Sequence, residues 1–148
     1  MISFVSGDIF ESDANVIAIP VNCVGVMGKG LALQFKQRYP WSFFVYKRAC
    51  DEHQLDIGKL MLVRAIAETD YDRRFLMFPT KFDWRKKSEL WMISDGLDKF
   101  VDTYLQHDIR SIAFPRLGCG CGGLEWSEVK QLMFEKLSGC DCEIYIYE

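Results

Sequence analysis

Two glycine-rich segments, and a lysine between them in the sequence, are the residues of this chain best suited to chemistry. Residues 22–30, the first loop, contain Gly25, Gly28 and Gly30, and residues 115–124, the second loop, contain four glycines. Each loop follows an apolar segment and leads into a segment with helical spacing. Glycine lets the backbone approach a ligand closely, and the N–H groups at a helix start attract anions. Two such loops facing one cleft would suit a diphosphate.

The spacing of these glycines matches neither the dinucleotide motif Gly-x-Gly-x-x-Gly nor the P-loop motif Gly-x4-Gly-Lys-Ser/Thr. The first loop alone is as compatible with a tight turn as with a phosphate site. The second loop is harder to explain as a turn, because its glycines carry a large entropy cost and pack poorly. Together the loops favour phosphate binding, and nothing in the sequence indicates a cofactor.

Lys81 lies between the two loops, at the end of an apolar segment and beside Phe82 and Trp84. We call residues 80–88 the lysine segment. Partial burial among aromatic side chains could make the amine of Lys81 a nucleophile. The residues alone favour the simpler alternative, an ordinary lysine whose stem lies along apolar surface.

Two further charged features have both a structural and a functional interpretation. A basic run is formed by Lys81, Arg85, Lys86 and Lys87. On charge alone it is typical of a solvated approach to a helix, and less often of an edge that faces nucleic acid. Asp8 follows a glycine at the end of the first apolar segment. Its carboxylate would either cap a turn or accept hydrogen bonds from the amino group of a base.

The composition is that of one soluble domain. The chain has 148 residues, of which 49% are hydrophobic and 26% charged, and its net charge is −3. We therefore expect one domain over residues 1–148, without a membrane span or a signal peptide, monomeric and cytoplasmic. The six cysteines and the two histidines, His53 and His107, show no typical metal-ligand spacing, so we expect reduced thiols and no metal site.

Apolar runs that alternate with segments of helical period predict an α/β fold. The predicted strands are residues 2–5, 16–21, 60–65, 74–78, 111–114 and 143–147. One helix is predicted to begin after Ser88 as its N-cap, one to cover residues 42–52, and two to follow the glycine-rich loops. In such a fold both loops lie outside the carboxyl ends of strands, where ligands bind.

These segments together resemble the macrodomain superfamily, in particular the branch that contains the antitoxin DarG and the terminal ADP-ribose protein glycohydrolases. The resemblance rests on residues 7–9, 21–32, 78–85 and 115–126, and covers essentially the whole chain. It implies a three-layer α/β/α fold with a central mixed sheet. It also implies ADP-ribose as the ligand.

The resemblance assigns roles to individual positions. Asp8 and Ile9 would bind adenine, and Asn22 would contact the distal ribose and take part in catalysis. Lys81 would be the catalytic residue that opens the distal ribose by attack at its anomeric carbon. The first-loop contacts would be Gly28, Lys29, Gly30 and Leu31. The second-loop contacts, around the diphosphate, would be Pro115, Leu117, Gly118, Cys119, Gly120, Cys121, Gly122, Gly123 and Leu124. A DNA strand would be held by Lys81, Trp84, Arg85, Lys86 and Lys87.

Two positions depart from the patterns of this superfamily. Gly122 stands where protein-directed relatives carry aspartate, and Cys121 stands where DarG-like loops have asparagine. The first departure favours a glycohydrolase that removes ADP-ribose from thymidine in single-stranded DNA, with a DarT-like toxin as a partner. Two alternatives remain open: a hydrolase of ADP-ribose esters on acidic protein side chains, and a binding module without catalysis.

Overall fold

The computed structural model describes residues 1–65 and 73–148. Within them the chain forms six strands, four α-helices and one short 3-10 helix, Ile9–Glu11. The strands are β1 (Ile2–Val5), β2 (Val16–Val21), β3 (Met61–Arg64), β4 (Arg74–Pro79), β5 (Ser111–Phe114) and β6 (Glu143–Tyr147). The helices are α1 (Gly30–Arg38), α2 (Pro40–Asp51), α3 (Leu90–Thr103) and α4 (Trp126–Leu137).

The six strands form one mixed sheet in the order β1-β6-β5-β2-β4-β3, which confirms the predicted sheet type. All neighbouring strands are parallel except β3, which runs antiparallel to β4 at the sheet edge. The adjacent strands β5, β2 and β4 therefore end at the same edge of the sheet. The second loop, the first loop and the lysine segment follow these three strands, so the topology brings them together.

Alternating side chains of the strands supply two separate hydrophobic cores. On one face of the sheet, Val16 and Ala18 of β2 pack in a cluster with residues of α3 and α4. On the other face, Ile17 and Ile19 belong to a cluster that includes Phe35 of α1 and residues of α2. The sheet is thus covered on both sides, as its nearly continuous apolar strands require. The three-layer α/β/α prediction is confirmed.

Two helix starts differ from the prediction. Helix α2 begins at Pro40 rather than at Ser42, because proline is well tolerated in the first turn, where its missing N–H has no partner to lose. The prediction that Ser88 caps α3 is wrong. The N-cap is Glu89, which makes no side-chain capping bond, and the Ser88 hydroxyl lies buried beside the second loop.

Helix α3 packs closely against β4, and the lysine segment connects these two elements. A Cβ atom placed on Gly96 of α3 would lie 2.4 Å from Cζ of Phe78, and the Phe78 side chain is completely buried. Only glycine therefore fits at this point of the helix without moving the ring.

None of the helices in the described part of the chain is long and apolar enough to cross a membrane.

Candidate functional site

Backbone hydrogen bonds join the lysine segment to both glycine-rich loops. The N–H of Thr80 donates to the carbonyl of Val21, and the N–H of Cys23 donates to the carbonyl of Phe82, both at 2.9 Å. At the other end of the segment, the N–H of Ser88 donates to the carbonyl of Gly122 at 3.0 Å. The lysine segment therefore lies between the two loops, and main-chain atoms hold all three in place.

Lys81 is almost entirely buried within this arrangement. Only 8% of the residue is exposed, and its Nζ donates a hydrogen bond to the carbonyl oxygen of Trp84 at 3.3 Å. The carbonyl of Lys81 accepts a weak hydrogen bond from Sγ of Cys23 in the first loop. The amine is thus held close to the backbone of its own segment rather than extended into solvent, unlike the simpler surface lysine that the residues alone favour.

Asn22 organises the first loop through its side-chain amide. Its Oδ1 accepts hydrogen bonds from the N–H groups of Val24 and Val26, at 3.1 and 3.3 Å, and its Nδ2 donates to the carbonyl of Val26 at 2.7 Å. The hydroxyl of Tyr46, a fully buried residue of α2, also lies 3.0 Å from Oδ1 and 2.8 Å from the Asn22 carbonyl. The bond to Val26 uses one of the two hydrogens of Nδ2.

The two partly buried thiols near the site are poor competitors for the role of nucleophile. Burial, with smaller contributions from Asp56 and Cys50, raises the pKa of the Cys23 thiol to about 12. Burial likewise raises the pKa of the Cys119 thiol, whose Sγ donates to the carbonyl of Leu117 at 3.4 Å. With raised pKa values, both thiols are protonated near neutral pH. Because the thiolate is the reactive form, both are unreactive there.

Positive φ angles shape the second loop, and one of its glycines is required sterically. Gly118 and Gly123 have φ angles of +73° and +79°, and the N–H of Leu124 closes the loop on the carbonyl of Gly118 at 2.9 Å. A Cβ atom on Gly122 would lie only 2.4 Å from both the Gly118 oxygen and Oγ of Ser88. A side chain, aspartate included, cannot be placed at this position without moving the loop.

The remaining predicted residues of the second loop line the same turn at different depths. Leu117 is completely buried, Gly118 and Gly122 are buried, Pro115, Cys119 and Leu124 are partly buried, and Gly120, Cys121 and Gly123 are exposed at the tip. A Cβ atom on Gly120 would meet no atom within 4 Å. The thiol of Cys121 is therefore exposed at the tip of the second loop.

The first loop ends at the start of α1, which has no side-chain cap. Lys29 is the N-cap in extended conformation, it makes no capping bond, and the first turn holds no acidic residue. Gly30 has a φ of +56°, and Gly28, Lys29 and Gly30 are exposed while Leu31 is partly buried. Within the described part of the chain, the N-cap side chain thus leaves the N–H groups of the first turn uncapped, and these groups carry the positive end of the helix dipole.

Asp8 lies after β1, at the edge of the sheet where the parallel strands end. Its Oδ1 accepts the N–H of Phe10 at 2.9 Å and caps the 3-10 helix, so the structural interpretation holds. Its Oδ2 lies 3.7 Å from the guanidinium of Arg38, and 43% of the Asp8 side chain remains exposed. Ile9 is buried. A partly exposed carboxylate oxygen is thus left beside the first strand.

The basic run is partly neutralised within its own segment. Arg85 donates from Nε and Nη2 to the two carboxylate oxygens of Asp83, at 2.9 and 2.6 Å, and these bonds hold the pKa of Asp83 well below its usual range. The guanidinium also lies 5.4 Å from the centre of the Trp84 ring. Lys86 and Lys87 are exposed. The net positive charge of this surface therefore comes from these two lysines more than from Arg85.

Comparison with known proteins identifies the family. The Macro domain family matches residues 19–133. The chain is a macrodomain. It is 42% identical to the DNA ADP-ribosyl glycohydrolase of Mycobacterium tuberculosis over 98% of this chain and 42% of that protein. It is 39% identical to the DNA ADP-ribosyl glycohydrolase of Thermus aquaticus, over all of this chain and 41% of that protein. The macrodomain thus spans about two fifths of the length of these curated relatives.

Solved structures agree with this assignment. The macrodomain of Mycobacterium tuberculosis DarG has a TM-score of 0.93 and 40% identity, covering 99% of this chain and 97% of that one. The structure of Thermosipho africanus DarTG in complex with ADP-ribose has a TM-score of 0.92 and 40% identity, over 99% of this chain and 41% of that one. The predicted resemblance to the DarG-like branch is confirmed.

Sequence reasoning misses two residues that shape this macrodomain's site. Tyr46 of α2, 24 positions after Asn22 in the sequence, fixes the Asn22 side chain by a hydrogen bond. The one available signal was that a tyrosine on the inner face of α2 needs a hydrogen-bond partner for its hydroxyl. Ser88 has the sequence context of a helix cap, whereas its N–H binds Gly122 and its Oγ has no hydrogen-bond partner among the described residues. No pattern in the sequence distinguishes these two roles of a serine before a helix.

Two surface concavities of the macrodomain lie away from the three loops. One is lined by Trp41, Phe44, Val45 and Arg48 on the outer side of α2. The other, of about 240 Å³, lies between β3 and the end of α3 and includes Leu62, Phe100 and His107. Neither contains a predicted site residue.

Among residues 1–65 and 73–148, no three histidine, cysteine or acidic side chains are grouped so that they could hold a metal ion.

Proposed function

We propose that this macrodomain is a glycohydrolase that removes ADP-ribose from thymidine in single-stranded DNA. The observation that carries the proposal is the buried amine of Lys81, held between two glycine-rich loops by backbone hydrogen bonds. The relatives in Mycobacterium tuberculosis and Thermus aquaticus are DNA ADP-ribosyl glycohydrolases, which supports the reaction and DNA as the substrate. The similar Thermosipho africanus DarTG was solved in complex with ADP-ribose, which supports that compound as the ligand.

The three loops divide the ligand between them in this proposal. The uncapped start of α1 and the exposed backbone at the tip of the second loop bind the diphosphate, because both present N–H groups to negative charge. The remaining Nδ2 hydrogen of Asn22 binds a hydroxyl of the distal ribose. The partly exposed carboxylate of Asp8, with the backbone of Ile9, accepts and orients the adenine. This arrangement leaves the distal ribose beside Lys81.

Lys81 acts at the anomeric carbon of the distal ribose. Its amine, in the deprotonated form, attacks that carbon, and the bond from the carbon to the thymine base breaks. The base leaves with the electron pair and takes up a proton from solvent. Water then hydrolyses the bond between lysine and sugar, which releases ADP-ribose and returns the free amine. Burial favours this role, because it keeps the nitrogen in one place relative to the loops.

Gly122 supports DNA-linked rather than protein-linked ADP-ribose. An aspartate in the second loop marks protein-directed relatives, and the second loop has no room for a side chain at this position. The second loop therefore supplies no carboxylate near the distal ribose. A DarT-like transferase, such as the one fused to the relative in Thermosipho africanus, would produce the substrate, and we place the reaction in the cytoplasm.

The test is release of ADP-ribose from a single-stranded oligonucleotide that carries it on one thymidine. We expect release by the wild type, and none by Lys81→Ala or by Lys81→Arg, which keeps the charge without a usable nucleophile. Lys99→Ala, which changes an exposed lysine on α3, is the matched control and should release at the wild-type rate. Equal release by Lys81→Ala would refute the role of the amine.

Two further arms separate the alternative functions. A peptide with ADP-ribose on glutamate, used at the same concentration, should be hydrolysed much more slowly than the oligonucleotide. Binding of free ADP-ribose, measured by calorimetry, should survive in Lys81→Ala. Preference for the peptide would favour an ester hydrolase, and tight binding without turnover of either substrate would leave a binding module.

A further inference from the structure

Three large aromatic side chains close to Lys81 are exposed to solvent. They are Phe82, Trp84 and Trp91, which are 42%, 51% and 47% exposed and lie within ten positions of one another in the sequence. The rings of Phe82 and Trp91 are 6.2 Å apart between centroids and inclined by 50°. Single exposed apolar residues are common, but a cluster of them next to a candidate active site marks a surface that binds something.

Two of these aromatic side chains have fixed positions relative to the candidate site. Phe82 directly follows Lys81, and its carbonyl accepts the N–H of Cys23 in the first loop. Trp91 belongs to the first turn of α3, and its indole N–H donates to Oε2 of Glu89 at 3.3 Å. The polar edge of Trp91 is therefore satisfied, which leaves the face of the ring for an apolar or aromatic partner.

The charges around this pair favour a nucleic acid over an apolar protein surface. Lys86 and Lys87 are exposed in the same segment, and Asp83 is engaged by Arg85. The exposed carboxylate of Glu89 beside Trp91 accepts the indole N–H, so among the described residues here the two lysines outnumber the one carboxylate that no cation engages. The aliphatic stem of Lys87 passes about 3.6 Å from the position that a Cβ on Gly123 would occupy, so it borders the second loop. Exposed aromatic faces beside cations are the combination by which proteins hold single-stranded nucleic acids.

We propose that Phe82 and Trp91 form a subsite that stacks a nucleobase next to the modified thymidine in the DNA strand. Lys86 and Lys87 contact the phosphates on either side of that base. The inference rests on the proposed function, since it places the substrate strand beside Lys81. It adds that the macrodomain recognises a neighbouring nucleotide as well as ADP-ribose.

The test compares two substrates on the full chain. One is a five-nucleotide single strand with ADP-ribose on the central thymidine, and the other is ADP-ribosylated thymidine without neighbours. The double variant Phe82→Ala/Trp91→Ala should lose about 5- to 150-fold in kcat/KM on the strand, the range expected for one stacked base. It should act on the single nucleoside like the wild type. Phe82→Tyr/Trp91→Phe, which keeps both rings, should retain activity on the strand.

Trp41→Ala is the matched control, because Trp41 is an exposed tryptophan on the outer side of α2. It should leave both rates unchanged. Equal losses on the two substrates would mean that the aromatic residues only support Lys81, and no loss on either would mean that the pair binds nothing; both results overturn the subsite.

A binding measurement separates this inference from the proposed function. Fluorescence anisotropy of a labelled, unmodified five-nucleotide thymidine strand should show binding to Lys81→Ala and at least roughly fivefold weaker binding when Phe82 and Trp91 are also replaced by alanine. If the wild type releases nothing from either modified substrate, the proposed function fails while this comparison still decides the subsite. Equal binding with and without the two rings overturns the subsite, whatever the enzyme does.

Discussion

Replacing Gly122 by alanine should distort the second loop by a predictable amount. The new Cβ would lie 2.4 Å from the Gly118 oxygen, about 1 Å closer than ordinary van der Waals contact. The Gly118 oxygen accepts the hydrogen bond from Leu124 that closes the loop, so moving it weakens that bond. Overpacking of this kind costs about 1–3 kcal/mol of unfolding free energy. In a domain of this size the midpoint of thermal unfolding should fall by about 2–12 °C.

Gly139→Ala, just after α4 and outside the candidate site, is the matched control, since a Cβ there meets no atom within 4 Å. Thermal unfolding is measured for both variants with and without saturating ADP-ribose. We expect Gly139→Ala to unfold within about 1 °C of the wild type and to keep the stabilisation that a bound ligand confers. Gly122→Ala should lose both stability and most of the ligand effect. If Gly122→Ala matched Gly139→Ala in both measurements, the steric reasoning about the second loop would be wrong.

Two further predictions concern a buried tyrosine and the buried thiols. Tyr46→Phe removes the hydroxyl that binds Asn22, so it should lower the unfolding free energy by about 1–3 kcal/mol and weaken ADP-ribose binding in calorimetry. Tyr104→Phe, which removes a hydroxyl bound to Asp141 in the other core, should cost stability alone; equal effects on affinity would contradict the role of Tyr46. Burial raises the pKa of the Cys23 thiol to about 12 and that of the Cys142 thiol to about 11, above the value of 9.0 for a free thiol. As the pH rises, the unfolded chain therefore loses these protons before the folded chain does, so the urea midpoint of unfolding should fall between about pH 9 and 12. The fall should be less steep in Cys142→Ala. An equal slope in that variant would exclude the Cys142 thiol as a source of the pH dependence.

The strands could be predicted closely because both faces of the sheet are covered. Continuous apolar runs such as β2 have no other stable location. The observed bounds differ from those expected by one residue at both ends of β3 and by one residue at one end of β4. The parallel order of β5, β2 and β4 then brings the three loops to one edge. The family resemblance implied a mixed sheet, but neither it nor the residues indicated that β3 is the antiparallel strand.

Contacts between distant side chains account for most of what the sequence did not reveal about the site. The bond from Tyr46 to Asn22 depends on how α2 packs under the first loop. Ser88 has the residue type and position of a cap, yet the adjacent second loop takes up its N–H. Such contacts depend on tertiary packing, which local patterns do not encode.

The links among the three loops use main-chain N–H and C=O groups at Thr80, Cys23 and Ser88, so their formation does not require a particular side chain at these positions. The outward residues Val24, Val26 and Phe82 can therefore be exchanged while the frame around the amine stays intact. A library that varies only these side chains would test whether the proposed glycohydrolase can be directed to ADP-ribose on other attachment points.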